Sequence, residues 1–165
     1  MTPQQFIATI APLAQQSMKQ SKIPASFVVA EAALESGWGA SKLTQQAMNL
    51  FGVKADRGWK GPTFMIHTEE YLNHQWVMVN AYFRRYDDWL GSIADHASFL
   101  IDNPRYAAAF EAGDGISFAK AVATAGYATD PQYAQKIISI INAHGLLSLD
   151  QPQPGESQSQ TEESQ

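Results

Sequence analysis

The chain has 165 residues, no cysteine and a formal net charge of -5. Its length and its store of aliphatic and aromatic residues suit one domain with a real core; the missing cysteines exclude disulfides and thiolate chemistry. The acidity is concentrated at one end. Without Asp150, Glu156, Glu162 and Glu163, twelve acids face eleven Lys and Arg, so the core has no basic footprint for nucleic acid.

The first helix is expected over residues 3–20. Thr2 caps it, Pro3 suits the first helical position, and Gln5 completes a capping box. Phe6, Ile10, Leu13 and Met18 form its apolar stripe. Pro24 opens a second helix that runs to Ser36, where Gly37 and Gly39 stop it. A short helix is expected at 41–46, followed by loop.

Residues 63–85 change period. Phe64, Ile66 and Thr68 alternate with Met65, His67 and Glu69, and the pattern resumes beyond Leu72-Asn73-His74-Gln75. This is a hairpin with a polar tip. Helices then return: one capped by Asp87 or Asp88 and ending at Asn103-Pro104, short ones near 106–112 and 117–125, and a last one capped by Asp130, started by Pro131 and closed by Gly145. From Gln151 on the chain has no apolar residue. We therefore divide it into a domain at 1–149 and a flexible acidic tail at 150–165. The N-terminus lacks the features of a signal peptide, and no apolar run reaches membrane-spanning length.

The most informative stretch is Ala32-Ala33-Leu34-Glu35-Ser36-Gly37-Trp38-Gly39. It puts a carboxylate in the last turn of an apolar helix, among carbonyls carrying partial negative charge and beside an indole. Both surroundings disfavour the anion and raise the pKa. A carboxylic acid kept protonated near neutral pH can protonate a leaving sugar oxygen. Glycoside hydrolysis generally needs a second carboxylate. Glu31, one turn earlier, reads as a salt-bridge or wall residue. Glu69 and Glu70 project to opposite sides of a strand, so one faces a cleft and the other water. Trp38, Asn49, Phe51, Trp59, Tyr127 and Tyr133 could supply sugar contacts. The four histidines have no zinc spacing, and neither a phosphate loop nor a G-x-S-x-G elbow occurs.

Five blocks in order resemble glycoside hydrolase family 73, the bacterial β-N-acetylglucosaminidases of peptidoglycan. They are Ala33-Leu34-Glu35-Ser36-Gly37-Trp38-Gly39, Asn49-Leu50-Phe51-Gly52-Val53-Lys54, Thr68-Glu69-Glu70-Tyr71, Phe83-Arg84-Arg85-Tyr86 and Ala125-Gly126-Tyr127-Ala128-Thr129-Asp130-Pro131. The hydrolase domain of flagellar rod-cap proteins is a close match in style. The resemblance implies an α+β, mainly α, lysozyme-like fold, with a helical lobe facing a β-hairpin lobe across a glycan cleft. It implies catalytic roles for Glu35, Glu70 and Tyr127, and makes Asp95 a structural acid. The chain departs from the pattern at Glu31, where relatives often carry Gln.

The implied activity is endo-cleavage between N-acetylglucosamine and N-acetylmuramic acid, without metal or cofactor. Rival readings are a lytic transglycosylase or muramidase on the same fold, and a wall-binding module without turnover. The implied partners are peptidoglycan strands and, for a secreted antibacterial effector, an immunity protein; neither nucleic acid nor membrane insertion is expected. The protein is expected to be a monomer acting in the periplasm or wall, delivered by a secretion system, by phage lysis or by a signal missing from this chain.

Overall fold

A computed structural model describes residues 1–152 of the chain. Six α-helices surround a common core, and one two-stranded antiparallel sheet stands beside them. The helices are α1 (Pro3–Ser21), α2 (Ala25–Ser36), α3 (Lys42–Ala47), α4 (Trp89–Asp102), α5 (Gly115–Thr124) and α6 (Tyr133–Ala143). The strands are β1 (Thr63–Leu72) and β2 (Gln75–Arg84). This is the α+β, mainly helical class that the family resemblance implies.

Helix α2 is the centre of the body. Ten of its twelve residues are buried, so it is apolar all round, as a helix enclosed by others must be. Helices α1, α5 and α6 pack on it, and Phe6, Ile10, Phe27, Val29, Phe118, Ile137 and Ile141 fill the spaces between them. Helix α1 starts on the expected capping box, with Thr2 accepting from the Gln5 amide and Gln5 accepting from the Thr2 amide.

The hairpin turns at the expected polar tip. Asn73 and His74 both have positive φ, 50° and 63°, the geometry of a two-residue turn that matches strand twist. Phe64 pairs with Phe83, Glu69 with Met78 and Glu70 with Val77. One face, carrying Phe64, Ile66, Thr68 and Glu70, is partly covered; the other, carrying Met65, Glu69, Tyr71 and Tyr82, is exposed. The foot of the hairpin is tied down. The Arg84 amide donates to Val53 O at 3.0 Å and the Ala55 amide to Tyr82 O at 2.9 Å. Asp95 of α4 accepts from Arg84 at 2.8 Å and from the Tyr86 hydroxyl at 2.5 Å, in keeping with a structural acid.

Several boundaries differ from expectation. Of the two caps expected for α4, Asp88 is the one used, accepting from the Gly91 amide. The short helix expected near 106–112 is a 3₁₀ helix over Pro104–Glu111. Helix α6 begins at Tyr133, not at Pro131; Asp130 instead closes the preceding turn, accepting from the Gln132 amide through its side chain and from the Tyr133 amide through its carbonyl.

The expected tail also begins too early. Leu146–Asp150 forms a final 3₁₀ turn, and the Asp150 carboxylate accepts from the Ser26 amide at 2.8 Å, the Ser26 hydroxyl at 2.6 Å and the Gly115 amide at 3.0 Å. Helix α2 has no side-chain cap of its own. Asp150 supplies one from the far end of the domain and sits at the α5 N-terminus as well, where amide donors and the helix dipole favour an anion. Gly115 permits this junction, because a Cβ there would lie 1.9 Å from Ser26 Oγ. The rest of the expected tail, from residue 153, lies outside the described residues.

Asp150→Ala leaves these donors without a partner. We expect it to cost about 2 kcal/mol of unfolding free energy and several degrees of melting temperature, read by denaturant and thermal melts.

Candidate active site

The turn after α2 sets the direction of Glu35. Gly37, Trp38 and Gly39 have φ of 58°, 58° and 82°. Glycine adopts that left-handed region freely and tryptophan does not, so Trp38 is held there by its surroundings. Ser36 Oγ donates to Ala32 O at 2.5 Å and accepts from the Gly39 amide at 2.9 Å. The Trp38 amide donates to Ala33 O at 2.8 Å. The indole turns toward the body and meets Phe6 and His144, with ring centroids 5.7 and 5.0 Å away. Glu35 stays at the surface at the end of α2.

One turn earlier, Glu31 is fully enclosed. Two donors reach it. His96 Nε2 of α4 lies 2.6 Å from Oε1, and the Tyr133 hydroxyl of α6 donates to Oε2. Tyr127 lies 2.8 Å from His96 Nε2. Phe51 stacks on the imidazole, with centroids 4.3 Å apart, and fixes its plane.

The electrostatics follow from this packing. Burial pushes the Glu31 carboxyl up, but the His96 charge and the hydroxyl and imidazole donors around it outweigh it and hold the group below the usual carboxylate range. Glu35 is raised, first by its own partial burial and second by the Glu31 anion, while His96 opposes the rise. The direction is the one expected; the neighbouring charge is Glu31, and the Trp38 ring lies against Phe6 and His144. Burial, then the Glu31 anion, keep the Tyr127 and Tyr133 phenols well above the ordinary tyrosine range. Both hydroxyls therefore stay protonated as donors.

The expected site residues divide into two groups. Glu35, Tyr127, Tyr133 and Phe51 gather around Glu31 and His96. Tyr133 is buried with its hydroxyl committed to Glu31. The other four lie elsewhere. Trp38 is the packed ring just described. Asn49 is buried, donates both amide protons to Val53 O and Arg84 O, and accepts from the Val53 amide. Trp59 donates to Pro62 O at 2.8 Å and lies under the Arg84 guanidinium, 4.7 Å from its ring centroid. Glu70, on the partly covered hairpin face, pairs with Lys54 Nζ at 3.4 Å, and Glu69 faces water. Among the described residues no group of three or more His, Asp or Glu side chains is placed to hold a metal ion.

His96 is the member that sequence reasoning missed. The sequence reading weighs it only as a metal ligand. Its position on the stripe of Ile93, Ala97 and Leu100 was the available signal, since an ionisable group on a buried helix face needs a partner.

Comparison with known proteins gives one consistent result. The family described as mannosyl-glycoprotein endo-β-N-acetylglucosaminidase, the glucosaminidase family, matches residues 11–146. The peptidoglycan hydrolase FlgJ of Escherichia coli is 43% identical over 147 residues, covering 87% of this chain and 47% of that protein. The exo-glucosaminidase LytG of Bacillus subtilis is 35% identical over 156 residues, covering 92% of this chain and 55% of that protein. The chain thus spans about half the length of the curated relatives it matches. Among solved structures, a C-terminally truncated glycoside hydrolase domain of FlgJ from Salmonella typhimurium superimposes with a TM-score of 0.76 at 41% identity, covering 86% of this chain and 96% of that one.

Glu31→Gln removes the anion that raises Glu35. We expect the Glu35 pKa to fall in this variant, read by carboxyl-carbon NMR titration. A Glu35 titration unmoved by the substitution would assign the whole rise to burial.

Proposed function

The chain belongs to the glucosaminidase family, glycoside hydrolase family 73, and on that footing we propose that it is an endo-β-N-acetylglucosaminidase that hydrolyses the bond between N-acetylglucosamine and N-acetylmuramic acid in peptidoglycan. The observation that carries the reading is the raised carboxyl of Glu35 at the edge of a buried Glu31–His96–Tyr127–Tyr133 cluster. The family match and the similarity to a protein named as a peptidoglycan hydrolase support the substrate class. The rival activities on the same fold differ in product, so product chemistry decides between them.

In this reading Glu35 donates its proton to the glycosidic oxygen, and the leaving sugar departs as an alcohol. Tyr127 lies in the loop between α5 and α6 and orients the 2-acetamido group of the sugar being cleaved. Glu70 activates the attacking water, or steadies an intermediate formed by that acetamido group. Phe51 offers an apolar face beside His96. We assign Trp38, Asn49 and Trp59 to holding the loops around the site, since their rings and amide are already engaged by protein groups. The site of action is the periplasm or the wall, and the protein acts as a monomer on glycan strands.

Two substitutions test the assignment. Glu35→Gln keeps the shape but has no proton to give, so turnover on purified peptidoglycan is expected to fall at least about 10³-fold with the melting temperature retained. In the wild type, activity falls as pH rises through the raised Glu35 pKa, because the acid form is the working form. On the hairpin, Glu70→Ala is expected to lower turnover about 10²-fold or more and Glu69→Ala by no more than about twofold. The digest should carry reducing N-acetylglucosamine ends. Reducing N-acetylmuramic acid would mean a muramidase, and anhydro ends a transglycosylase.

A further inference from the structure

A groove beside α4 has no part in the chemistry just described. Asp95, Phe99 and Asp102 fall at i, i+4 and i+7 on that helix, so they form one stripe. It is not the stripe of Ile93, Ala97 and Leu100 that packs into the body. It faces the foot of the hairpin, where Arg84 bonds to Asp95. Two adjoining hollows lie along it, both walled by Arg84, Asp95 and Phe99. The inner one, about 170 Å³, ends on Val53 and His96. The outer one, about 380 Å³, runs past Ser98 and Asp102 to Asn103 and Pro104. Together they make a groove that starts at the imidazole bonded to Tyr127 and leaves the site along α4. From His96 to the C-cap Asn103 it covers about 10 Å, at about 1.5 Å per residue.

Phe99 gives this groove its character. The ring is 51% exposed, yet it is held at a fixed tilt. Its plane lies within 11° of the His96 ring, and Tyr106 stands beside it with centroids 6.1 Å apart. A flat apolar face is thus presented next to the catalytic cluster. The polar groups around it select among ligands. Arg84 is engaged by Asp95 at 2.8 Å and Asp56 at 3.3 Å, and Asp95 also accepts from Tyr86. The wall therefore offers no unpaired cation to an anionic ligand. Asp102, at the outer end, repels a carboxylate and accepts from a hydroxyl or an amide N–H.

We propose that this groove is a further glycan subsite, in which Phe99 carries a neutral N-acetylhexosamine of the strand beyond the bond being cleaved and Asp102 accepts a hydrogen bond from it. The sugar lays its apolar face on the ring and turns its donors toward the carboxylate, while the carboxyl-bearing substituents of the strand point to solvent. The groove is continuous with the site through His96, and its outer end is lined by the exposed Ser98, Asp102 and Pro104. A strand therefore passes through it instead of ending in it, which suits attack within a strand over removal of terminal sugars.

This inference rests on the glucosaminidase reading, and its test keeps the two apart. Wild type, Phe99→Ala and Phe99→Tyr are assayed on peptide-free tetrasaccharide and octasaccharide fragments of the glycan strand. In the wild type kcat/KM is expected to be at least about tenfold higher on the octasaccharide. Phe99→Ala should shrink that advantage to within about twofold, mostly through KM, and Phe99→Tyr, which keeps the flat ring, should retain it. A ring that merely packs against His96 would affect both substrates alike and leave the advantage intact, which would overturn the proposal. So would an advantage that appears only when stem peptides are attached, since the groove would then belong to the peptide. Affinity reads the groove without turnover. Octasaccharide binding to Glu35→Gln, followed by calorimetry, is expected to weaken about tenfold when Phe99→Ala is added and about threefold with Asp102→Asn. Unchanged affinity on adding Phe99→Ala would also overturn the subsite. A wild type that releases no reducing N-acetylglucosamine ends, with that loss of affinity present, would sink the functional reading and leave the groove standing.

Discussion

A carboxylate buried in the middle of an apolar helix is the constraint from which the rest of this structure follows. Ionised and dry, Glu31 would cost several kcal/mol if it stood alone. It is tolerated because α4 and α6 each bring one donor to it. Charged hydrogen bonds of this kind contribute about 1.5–3 kcal/mol each, enough to offset the burial. Two helices distant in sequence are thereby fixed relative to α2, and the residue one turn further along α2 is Glu35. The group that holds the helices together also sets the acidity of the residue beside them.

The site is thus built in two parts of different character. The helical part is packed, with every partner in contact before any ligand arrives. The hairpin part is anchored at its foot, through Arg84, Tyr86 and Asp95, while the strands beyond it have one exposed face. Glu70 sits on that projecting portion and is engaged with Lys54 rather than with Glu31 or Glu35. The acid and its surroundings are preorganised, whereas the second carboxylate is carried on an element with little buried area to hold it in place.

Much of this was legible in the chain. Helices announce themselves through capping boxes and apolar stripes, and Thr2, Ser41 and Asp114 all cap where such residues should. The hairpin was legible from its period of two, which also put Glu69 and Glu70 on opposite faces. Glu35 was visible because a glycine-bounded turn marks the helix end locally. What could not be read were the long-range pairings. Glu31 and His96 are 65 positions apart, and no local pattern joins them. Tyr133 and Asn49 have the composition of sugar contacts, but burial, which depends on how helices pack, commits both to the protein. Asp150 looked like the first residue of a polar tail because its two helix ends belong to other parts of the chain.

That last contact carries a consequence for how the molecule is made. Residues 26 and 150 are 124 positions apart, so the amides at the start of α2 wait for their acceptor until almost the whole domain has been synthesised. During elongation the central helix is complete in sequence but open at one end. The closing turn works as a latch set last, and docking it joins the N-termini of two helices in one step. Contacts of such sequence separation slow folding, because loop closure precedes the gain. A nascent chain that stops short of Asp150 lacks this fastening, and the turn at Leu146–Asp150 supplies it.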